Sequence, residues 1–186
     1  MHLLLNLPTD LAADILTNWV GAAGTVRFDS AFCDSTARPK FTNILTGCIF
    51  HQPVQGRINS DNLVKWSMLR LTRVDSLYIN EASDLSMYET FLERYGSAVS
   101  KIRLERRARS DVLSTTKLMS LVAEHCPQLK FLDWNGAGDG LDAALREVVT
   151  RCTLLQELRV SASIYSGFTS QSLEGILCPQ LRTLAL

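Results

Sequence analysis

The sequence predicts an α/β fold: a solenoid of about five strand-turn-helix units with a parallel sheet on its concave face, preceded by a small helical segment. Three observations predict this fold. One apolar phrase occurs three times at equal intervals, apolar triplets with helical spacing lie between the phrases, and residues 1–46 follow neither pattern. Leucine accounts for 29 of the 186 residues, and a chain of this length is long enough to bury a core.

The composition excludes disordered, collagen-like and coiled-coil proteins. Hydrophobic residues make up 46% and charged residues 20% of the chain, as in globular proteins. Lys plus Arg equals Asp plus Glu, 19 against 19, so the net charge gives no reason to expect nucleic-acid or membrane-surface binding. The opening MHLLLNLP lacks a basic leader and no apolar run is long enough to span a membrane, which predicts a cytoplasmic or nuclear protein with reduced cysteines.

Residues 1–46 are predicted to begin with an amphipathic helix. The phrase LPTDLAADILTNWV has Pro8 at its start, and Thr9 or Asp10 is the expected N-cap. Its apolar stripe is formed by Leu7, Leu11, Ile15, Leu16 and Trp19. A second apolar run, VRFDSAFC, follows, and Pro39 is expected to end the helix there early.

These two runs resemble the opening of an F-box, a motif of short helices that docks on the Skp-type adaptor of cullin-RING ubiquitin ligases. The segment departs from the family after Cys33, where the run DSTA stands in place of a tryptophan. The resemblance implies an adaptor-binding set made of Leu7, Pro8, Leu11, Ile15 and Leu16. The alternative interpretation is a helical cap that covers the apolar end of the first repeat and has no role in ubiquitin transfer.

Residues 47–70 are predicted to connect the helical segment with the repeats. Glycine, proline and asparagine residues between Gly47 and Asn59 indicate a loop, which leads into a helix or an irregular turn around Trp66. Trp66 is interpreted as a core contact between the two parts of the chain.

Residues 71–186 contain the repeated phrase. It reads CPQLKFLDW, CTLLQELRV and CPQLRTLAL, beginning at Cys126, Cys152 and Cys178. Weaker copies begin at Leu71 and Gly96. The distances between the starts of successive copies are similar, and the last two distances are equal. The pattern C-x-x-L-x-x-L-x-φ, in which φ is apolar, predicts a short strand with its apolar side chains facing inward.

The intervals after the phrases predict helices. Each carries apolar residues at positions i, i+3 and i+4, which share one helix face. The four triplets are Tyr88, Phe91, Leu92; Leu118, Leu121, Val122; Leu145, Val148, Val149; and Leu173, Ile176, Leu177. One strand-turn-helix unit cannot bury such a face alone, so we expect the units to stack with their strands in parallel.

The phrases resemble the cysteine-containing leucine-rich repeat over about residues 71–186, and their spacing lies within or next to the range of such repeats. The chain departs from the family at the loop position that usually holds Asn or Cys, where Ala82, Arg107, Ala137 and Ser163 stand. The resemblance implies a curved solenoid, and an F-box followed by such repeats is a combination that it leads one to expect.

The strand residues between the buried positions are predicted to point to the concave face. They combine aromatic, arginine and acidic side chains, which are typical of protein-recognition surfaces. We expect a protein partner there, bound through Tyr78, Lys101, Arg103, Phe131, Asp133, Glu157 and Arg159. The basic cluster in residues 101–109 indicates a solvated edge or a contact for an acidic partner; no aromatic series accompanies it, so nucleic acid is not expected.

Two constellations suggest a cofactor or a metal, and each has a structural alternative. Gly136, Gly138 and Gly140 imitate a dinucleotide-binding loop, but their spacing is G-x-G-x-G rather than G-x-G-x-x-G, and the structural alternative is a flexible turn. The cysteines of the phrases are interpreted as buried small residues, because no C-x-x-C cluster or recurring histidine accompanies them. We therefore predict no catalytic residue, no metal and no cofactor.

The sequence as a whole predicts a non-enzymatic recognition module, the substrate-receptor subunit of a cullin-RING ubiquitin ligase, which acts by positioning its partner. The alternatives are an interaction scaffold with an N-terminal helical cap and no ubiquitin role and, more remotely, a nucleotide-binding α/β enzyme. The last predicted strand has no following helix to cover Leu181 and Leu184, so we expect a longer natural protein or self-association.

Overall fold

The structure, a computed structural model, describes residues 2–31, 34–50, 60–80, 83–106, 112–136, 141–162 and 179–185. The chain divides into two units, Met1–Ser76 and Leu77–Leu186. The boundaries after residues 46 and 70 that the sequence suggests stay predictions. Within the described ranges the longest helix has 14 residues, and none is long and apolar enough to cross a membrane.

The first unit is mostly helical. Its elements are α1 (His2–Leu5), α2 (Thr9–Asp14), a π-helix (Ile15–Val20), α3 (Gly21–Ala31), α4 (Ala37–Gly47), β1 (Ile49–Phe50), α5 (Ser60–Arg70) and β2 (Arg73–Val74). The two short strands pair in parallel. The centre of its core is formed by Leu16, Phe41, Leu45, Phe50 and Val64, which are completely buried.

Two prolines of the first unit stand at helix starts. Pro8 is the N-cap of α2, with φ −52° and ψ 140°. The expectation that Thr9 or Asp10 caps this helix is wrong, because the helix already includes both residues. Pro39 is the third residue of α4, where its missing N–H would have no intrahelical partner. The expectation that Pro39 ends a helix early is therefore also wrong.

The second unit is built around a five-stranded sheet with the order β3-β4-β5-β6-β7, which confirms the α/β class. The strands are β3 (Ser76–Ile79), β4 (Lys101–Arg106), β5 (Phe131–Gly136), β6 (Glu157–Ala162) and β7 (Thr183–Ala185). The helices are α6 (Leu85–Tyr95), α7 (Val112–His125) and α8 (Leu141–Arg151), with a 3₁₀ turn at Gly96–Ala98. Strands β4 to β7 pair in parallel, and α7 packs against both α6 and α8.

The core of the second unit follows the predicted periodicities. On the central strands, alternate side chains are at most 4% exposed: Ile102, Leu104, Leu132, Trp134, Leu158 and Val160. The apolar triplets of α6, α7 and α8 are also buried, except for the half-buried Leu121. The triplet predicted at Leu173, Ile176 and Leu177 lies outside the described residues. Strands with a period of two and helices with a period near 3.6 therefore contribute their apolar faces to one core.

Successive strands are joined in a common way. Lys101 lies opposite Phe131, Phe131 opposite Glu157, and Glu157 opposite Thr183, so the offset along the chain is the same at the last two steps. At each step one backbone carbonyl accepts two hydrogen bonds of 2.8–3.1 Å. The donors are the N–H of the first residue of the next strand and the N–H of the residue before it. The three accepting carbonyls belong to Ser100, Lys130 and Gln156. The same hydrogen bonds therefore set the register at all three steps.

The residue that follows each helix lies in a tightly packed position. Cys126 and Cys152 are completely buried, and the Cys152 Sγ lies 3.5 Å from the carbonyl oxygen of Cys126. Gly96 has the equivalent position after α6, and a Cβ there would lie only 2.8 Å from the carbonyl oxygen of His125. This contact explains why the copy beginning at Gly96 lacks the cysteine. Cys178 lies outside the described residues.

Strand β7 is less buried than the other strands. Leu184 is 45% exposed and Leu181 is half-buried, whereas Leu132 and Leu158 are completely buried. Among the described residues, β7 pairs only with β6.

Candidate binding surface of the sheet

The strand residues that alternate with the core form one surface, which we call the outer sheet face: Tyr78, Lys101, Arg103, Glu105, Phe131, Asp133, Glu157 and Arg159. It contains all seven side chains predicted to bind a partner, with Glu105 in addition. Strand register arranges six of them in two rows, Lys101–Phe131–Glu157 and Arg103–Asp133–Arg159. All eight side chains are half-buried or exposed and are therefore accessible to a ligand.

Four of these residues form a hydrogen-bonded cluster across β3, β4 and β5, which we call the Tyr78 cluster. The Tyr78 hydroxyl donates to Glu105 Oε2 at 2.5 Å, and Arg103 Nη2 donates to Glu105 Oε1 at 2.7 Å. Arg103 Nε lies 3.5 Å from Asp133 Oδ2, and the guanidinium carbon is 5.9 Å from the centre of the Tyr78 ring. Because Glu105 joins the tyrosine to the arginine, its carboxylate fixes the position of both side chains.

A second arrangement, the Phe131 cluster, lies on β5 and β6. The guanidinium carbon of Arg159 is 5.5 Å from the centre of the Phe131 ring. Both Arg159 Nε and Arg159 Nη2 contact Glu157 Oε1, at 2.7 and 2.5 Å. The arginine is thus oriented by a ring on the preceding strand and a carboxylate on its own strand.

The outer sheet face is rich in charged and aromatic side chains. It offers cation-π contacts, ion pairs and hydrogen-bond donors on neighbouring strands. In the described part of the chain, no three His, Cys, Asp or Glu side chains gather as a group that could hold a metal ion. Of the three glycines that imitate a dinucleotide loop, Gly136 ends β5, while Gly138 and Gly140 lie outside the described residues.

The predicted adaptor-binding residues differ in exposure. Pro8 is exposed and Leu11 is 48% exposed, whereas Leu7 and Ile15 are half-buried. Leu16 is completely buried in the first unit, so its side chain serves the core and is closed to a partner.

The first unit also exposes apolar side chains outside the predicted adaptor-binding set. Leu3 is 83% exposed and Trp19 is 84% exposed. Trp19 belongs to the predicted apolar stripe, but it lies on the π-helix, whose wider turn alters the spacing of an α-helical face. The α-helical spacing therefore places Trp19 on the predicted apolar stripe but does not predict that its side chain is exposed.

Asp29 is a buried charged residue that the sequence does not single out. Its carboxylate accepts from Trp66 Nε1 at 2.9 Å and from Arg70 Nε at 2.7 Å, and it lies 3.5 Å from Arg38 Nη2. Trp66 also packs edge-on against the Phe50 ring at 5.6 Å, so these contacts lie within the first unit. Asp29 thus connects α3 with α4 and α5, and the only signal for it in the sequence is an acidic residue inside the apolar run VRFDSAFC.

Burial controls the ionisation of the cysteines. It raises the pKa of the Cys126 thiol strongly, and the neighbouring Cys152 raises it further. Burial also raises the pKa of Cys48, with a smaller opposing effect from a hydrogen bond to Thr17. These thiols are protonated at neutral pH, which agrees with the interpretation of the cysteines as small core residues.

Comparison with known proteins assigns no family to the chain. No model of a protein family matches the sequence, and no curated protein matches it significantly.

Proposed function

We propose that this protein is a non-catalytic recognition module that binds another protein through the outer sheet face. The observation that carries the proposal is the pairing of two arginines with two aromatic rings, each arginine held by a glutamate of its own strand. Arginine and aromatic residues are enriched at the energetic centres of protein interfaces. Side chains that are already oriented lose less entropy when a partner binds.

The proposed architecture of the second unit is a leucine-rich-repeat solenoid with the outer sheet face on its concave side. The repeated phrases support it, as do the equal offsets from β5 to β6 and from β6 to β7 and the common hydrogen bonds at each step. In such an array, neighbouring strands together offer one continuous surface to a partner.

In the proposed function, the first unit is an F-box-like segment that binds a Skp-type adaptor, so the chain is a substrate receptor of a cullin-RING ubiquitin ligase. The exposed Pro8 and Leu11 support this role, and Trp19 and Leu3 add apolar area that a partner would bury. This function implies a cytoplasmic or nuclear location.

A second candidate function is an interaction scaffold without a ubiquitin role. The burial of Leu16, one of the five predicted adaptor contacts, favours it. The contacts of Asp29 also give the helices of the first unit a structural role of their own. In this case the outer sheet face keeps its function and the adaptor does not bind.

Binding of a purified Skp-type adaptor to the full chain, measured by calorimetry, distinguishes the two candidates. We expect Leu11→Glu to weaken binding by at least about tenfold, because it places a charge in an apolar contact. Leu69→Glu is the matched control, since Leu69 is 75% exposed on α5 of the same unit and lies outside the predicted set. A folded wild-type chain that does not bind the adaptor would refute the ubiquitin-ligase role and leave the scaffold as the remaining candidate.

A further inference from the structure

The two aromatic-arginine clusters of the outer sheet face share one construction. In each, an arginine lies over the ring of a residue on the preceding strand, Arg103 over Tyr78 and Arg159 over Phe131. Each arginine is also bound to a glutamate two positions away on its own strand. Because the constructions match, the differences between them indicate what each cluster does.

The Tyr78 cluster is closed. Arg103 uses Nη2 for Glu105 and has Nε next to Asp133, so two carboxylates surround one guanidinium. The second oxygen of Glu105 accepts the tyrosine hydroxyl. A carboxylate arriving from a partner would meet two existing negative charges here, so this cluster is unsuited to bind one.

The Phe131 cluster is open. Both contacts of Arg159 with Glu157 use the same carboxylate oxygen, and Phe131 has no hydroxyl that would bind the second. The Arg159 side chain is 51% exposed, against 36% for Arg103. Arg159 Nη1 has no hydrogen-bond partner among the described residues, so the guanidinium edge away from Glu157 is available for a bidentate contact.

Unpaired positive charges lie near the Phe131 cluster. Lys101 begins β4, while Lys130 and Arg182 directly precede β5 and β7, and all three side chains are exposed. None of them forms an ion pair within the described residues. The acidic residues of the outer sheet face, in contrast, are all bound to Arg103 or Arg159. Among the described residues, the charge left available to a ligand is therefore positive and lies at the N-terminal ends of the strands.

We infer that the partner of the outer sheet face presents an acidic peptide segment, and that one of its carboxylates binds Arg159 where the guanidinium is stacked on Phe131. The Tyr78 cluster holds its part of the surface in place and does not contact that carboxylate. Lys101, Lys130 and Arg182 attract the segment through longer-range electrostatics. This inference rests on the proposed recognition function and specifies its partner class.

Selection of short random peptides displayed in a library against the immobilised full chain tests the inference. We expect the selected peptides to be enriched in Asp and Glu. A synthetic peptide from this selection should lose about tenfold or more in affinity when its acidic residues are replaced by their amides, and also when the protein carries Arg159→Gln. Binding should weaken as NaCl rises from about 0.05 to about 0.5 M, because salt screens exposed charges.

Three variants serve as controls in the same fluorescence anisotropy assay. Arg94→Gln removes a cation from helix α6 and should leave the affinity within about twofold of wild type. Arg159→Lys keeps the charge but removes the planar fork, and it should recover only part of the affinity. Phe131→Ala removes the ring under Arg159 and should weaken binding, and circular dichroism checks that each variant is folded.

The outcomes distinguish a failure of the acidic-partner inference from a failure of the proposed recognition function. Selected peptides that depend on Phe131 but show no acidic enrichment, or that bind Arg159→Gln as well as wild type, would overturn the acidic-partner assignment and leave the recognition surface intact. Peptides that bind all variants of the outer sheet face equally well, or a library without any binder, would overturn both.

Discussion

Single residues decide the stability of the first unit, and Asp29 is the clearest case. Its side chain is 5% exposed and accepts hydrogen bonds from Trp66 and Arg70. We expect Asp29→Asn to lower the free energy of unfolding by about 2–3 kcal/mol, because it removes the charge that compensates the arginines and leaves a donor where an acceptor is needed. Urea unfolding followed by tryptophan fluorescence measures the change.

The control for this change is Asp10→Asn, at an exposed acid in the first turn of α2. We expect it to alter stability by no more than about 0.5 kcal/mol, the small effect of a charge near a helix N-terminus. Equal losses for the two variants would show that Asp29 has no special structural role.

The inward positions of the strands should be sensitive to charge in the same way. Leu158 is completely buried, so Leu158→Asp places a carboxylate in the core without a partner and should cost about 3 kcal/mol or more. Lys130→Ala, at an exposed position, should stay within about 0.5 kcal/mol of wild type. Thermal unfolding compares the two, and similar shifts would contradict the assignment of inward and outward residues.

Ionisation of Cys126 should make the free energy of unfolding fall at alkaline pH. Its pKa is raised in the folded chain above the ordinary value of 9.0. Well below pH 9.0 the thiol is protonated in both states, and above that value only the unfolded state releases the proton. The free energy of unfolding should therefore fall by up to about 1.4 kcal/mol per pH unit for this group.

Urea titrations of the wild type and of Cys126→Ala between pH 8 and about pH 10 isolate this contribution. The wild type should lose stability more steeply than the variant as pH rises. Parallel curves would mean that the thiol titrates alike in the folded and unfolded chain.

Among the elements, the junction after α6 is constrained by a close backbone contact. A Cβ on Gly96 would come within 2.8 Å of the His125 carbonyl oxygen, which belongs to the backbone and cannot rotate away. We expect Gly96→Ala to destabilise the second unit by about 1–3 kcal/mol. Gly47→Ala is the control, because a Cβ there would make an ordinary contact of 3.8 Å with Ala13. Denaturant unfolding should find Gly47→Ala close to neutral.

The elements also indicate how far periodicity predicts a fold. Apolar side chains at alternate strand positions and at i, i+3, i+4 helix positions are buried because one core receives both faces, as at Leu132 and Val148. The starts of helices were harder to predict. Pro8 and Pro39 both occupy positions where a missing N–H costs nothing, and a rule that treats proline as a helix breaker gives the wrong result at Pro39.

At the scale of the whole molecule, balanced charge governs solubility. The chain has 19 basic and 19 acidic residues and an isoelectric point of about 6.8. Repulsion between molecules should therefore be weakest near that pH. We expect static light scattering to find the lowest second virial coefficient near pH 6.8 and higher values about two units to either side at low salt. A coefficient that does not change with pH would contradict this view.

The binding surface was predictable in outline and not in detail. Strand alternation alone identifies which side chains face outward, so Arg103 and Arg159 are equivalent in the sequence. Their difference depends on residues of other strands: Asp133, whose Oδ2 lies 3.5 Å from Arg103 Nε, and Tyr78, whose hydroxyl donates to the second oxygen of Glu105. Likewise, Asp29 meets Trp66 from a distant part of the chain, and nothing local in the sequence indicates that contact.

The register of the sheet also limits how this chain can change length in evolution. Deleting residues 131–156 would bring Leu158 opposite Ile102 in place of Leu132, so the inward packing would survive. The same deletion would remove Asp133 and set Arg159 directly opposite Arg103, and like charges in that position destabilise a sheet. Core packing would therefore tolerate the loss of this segment. The charges of the outer sheet face would oppose the same loss.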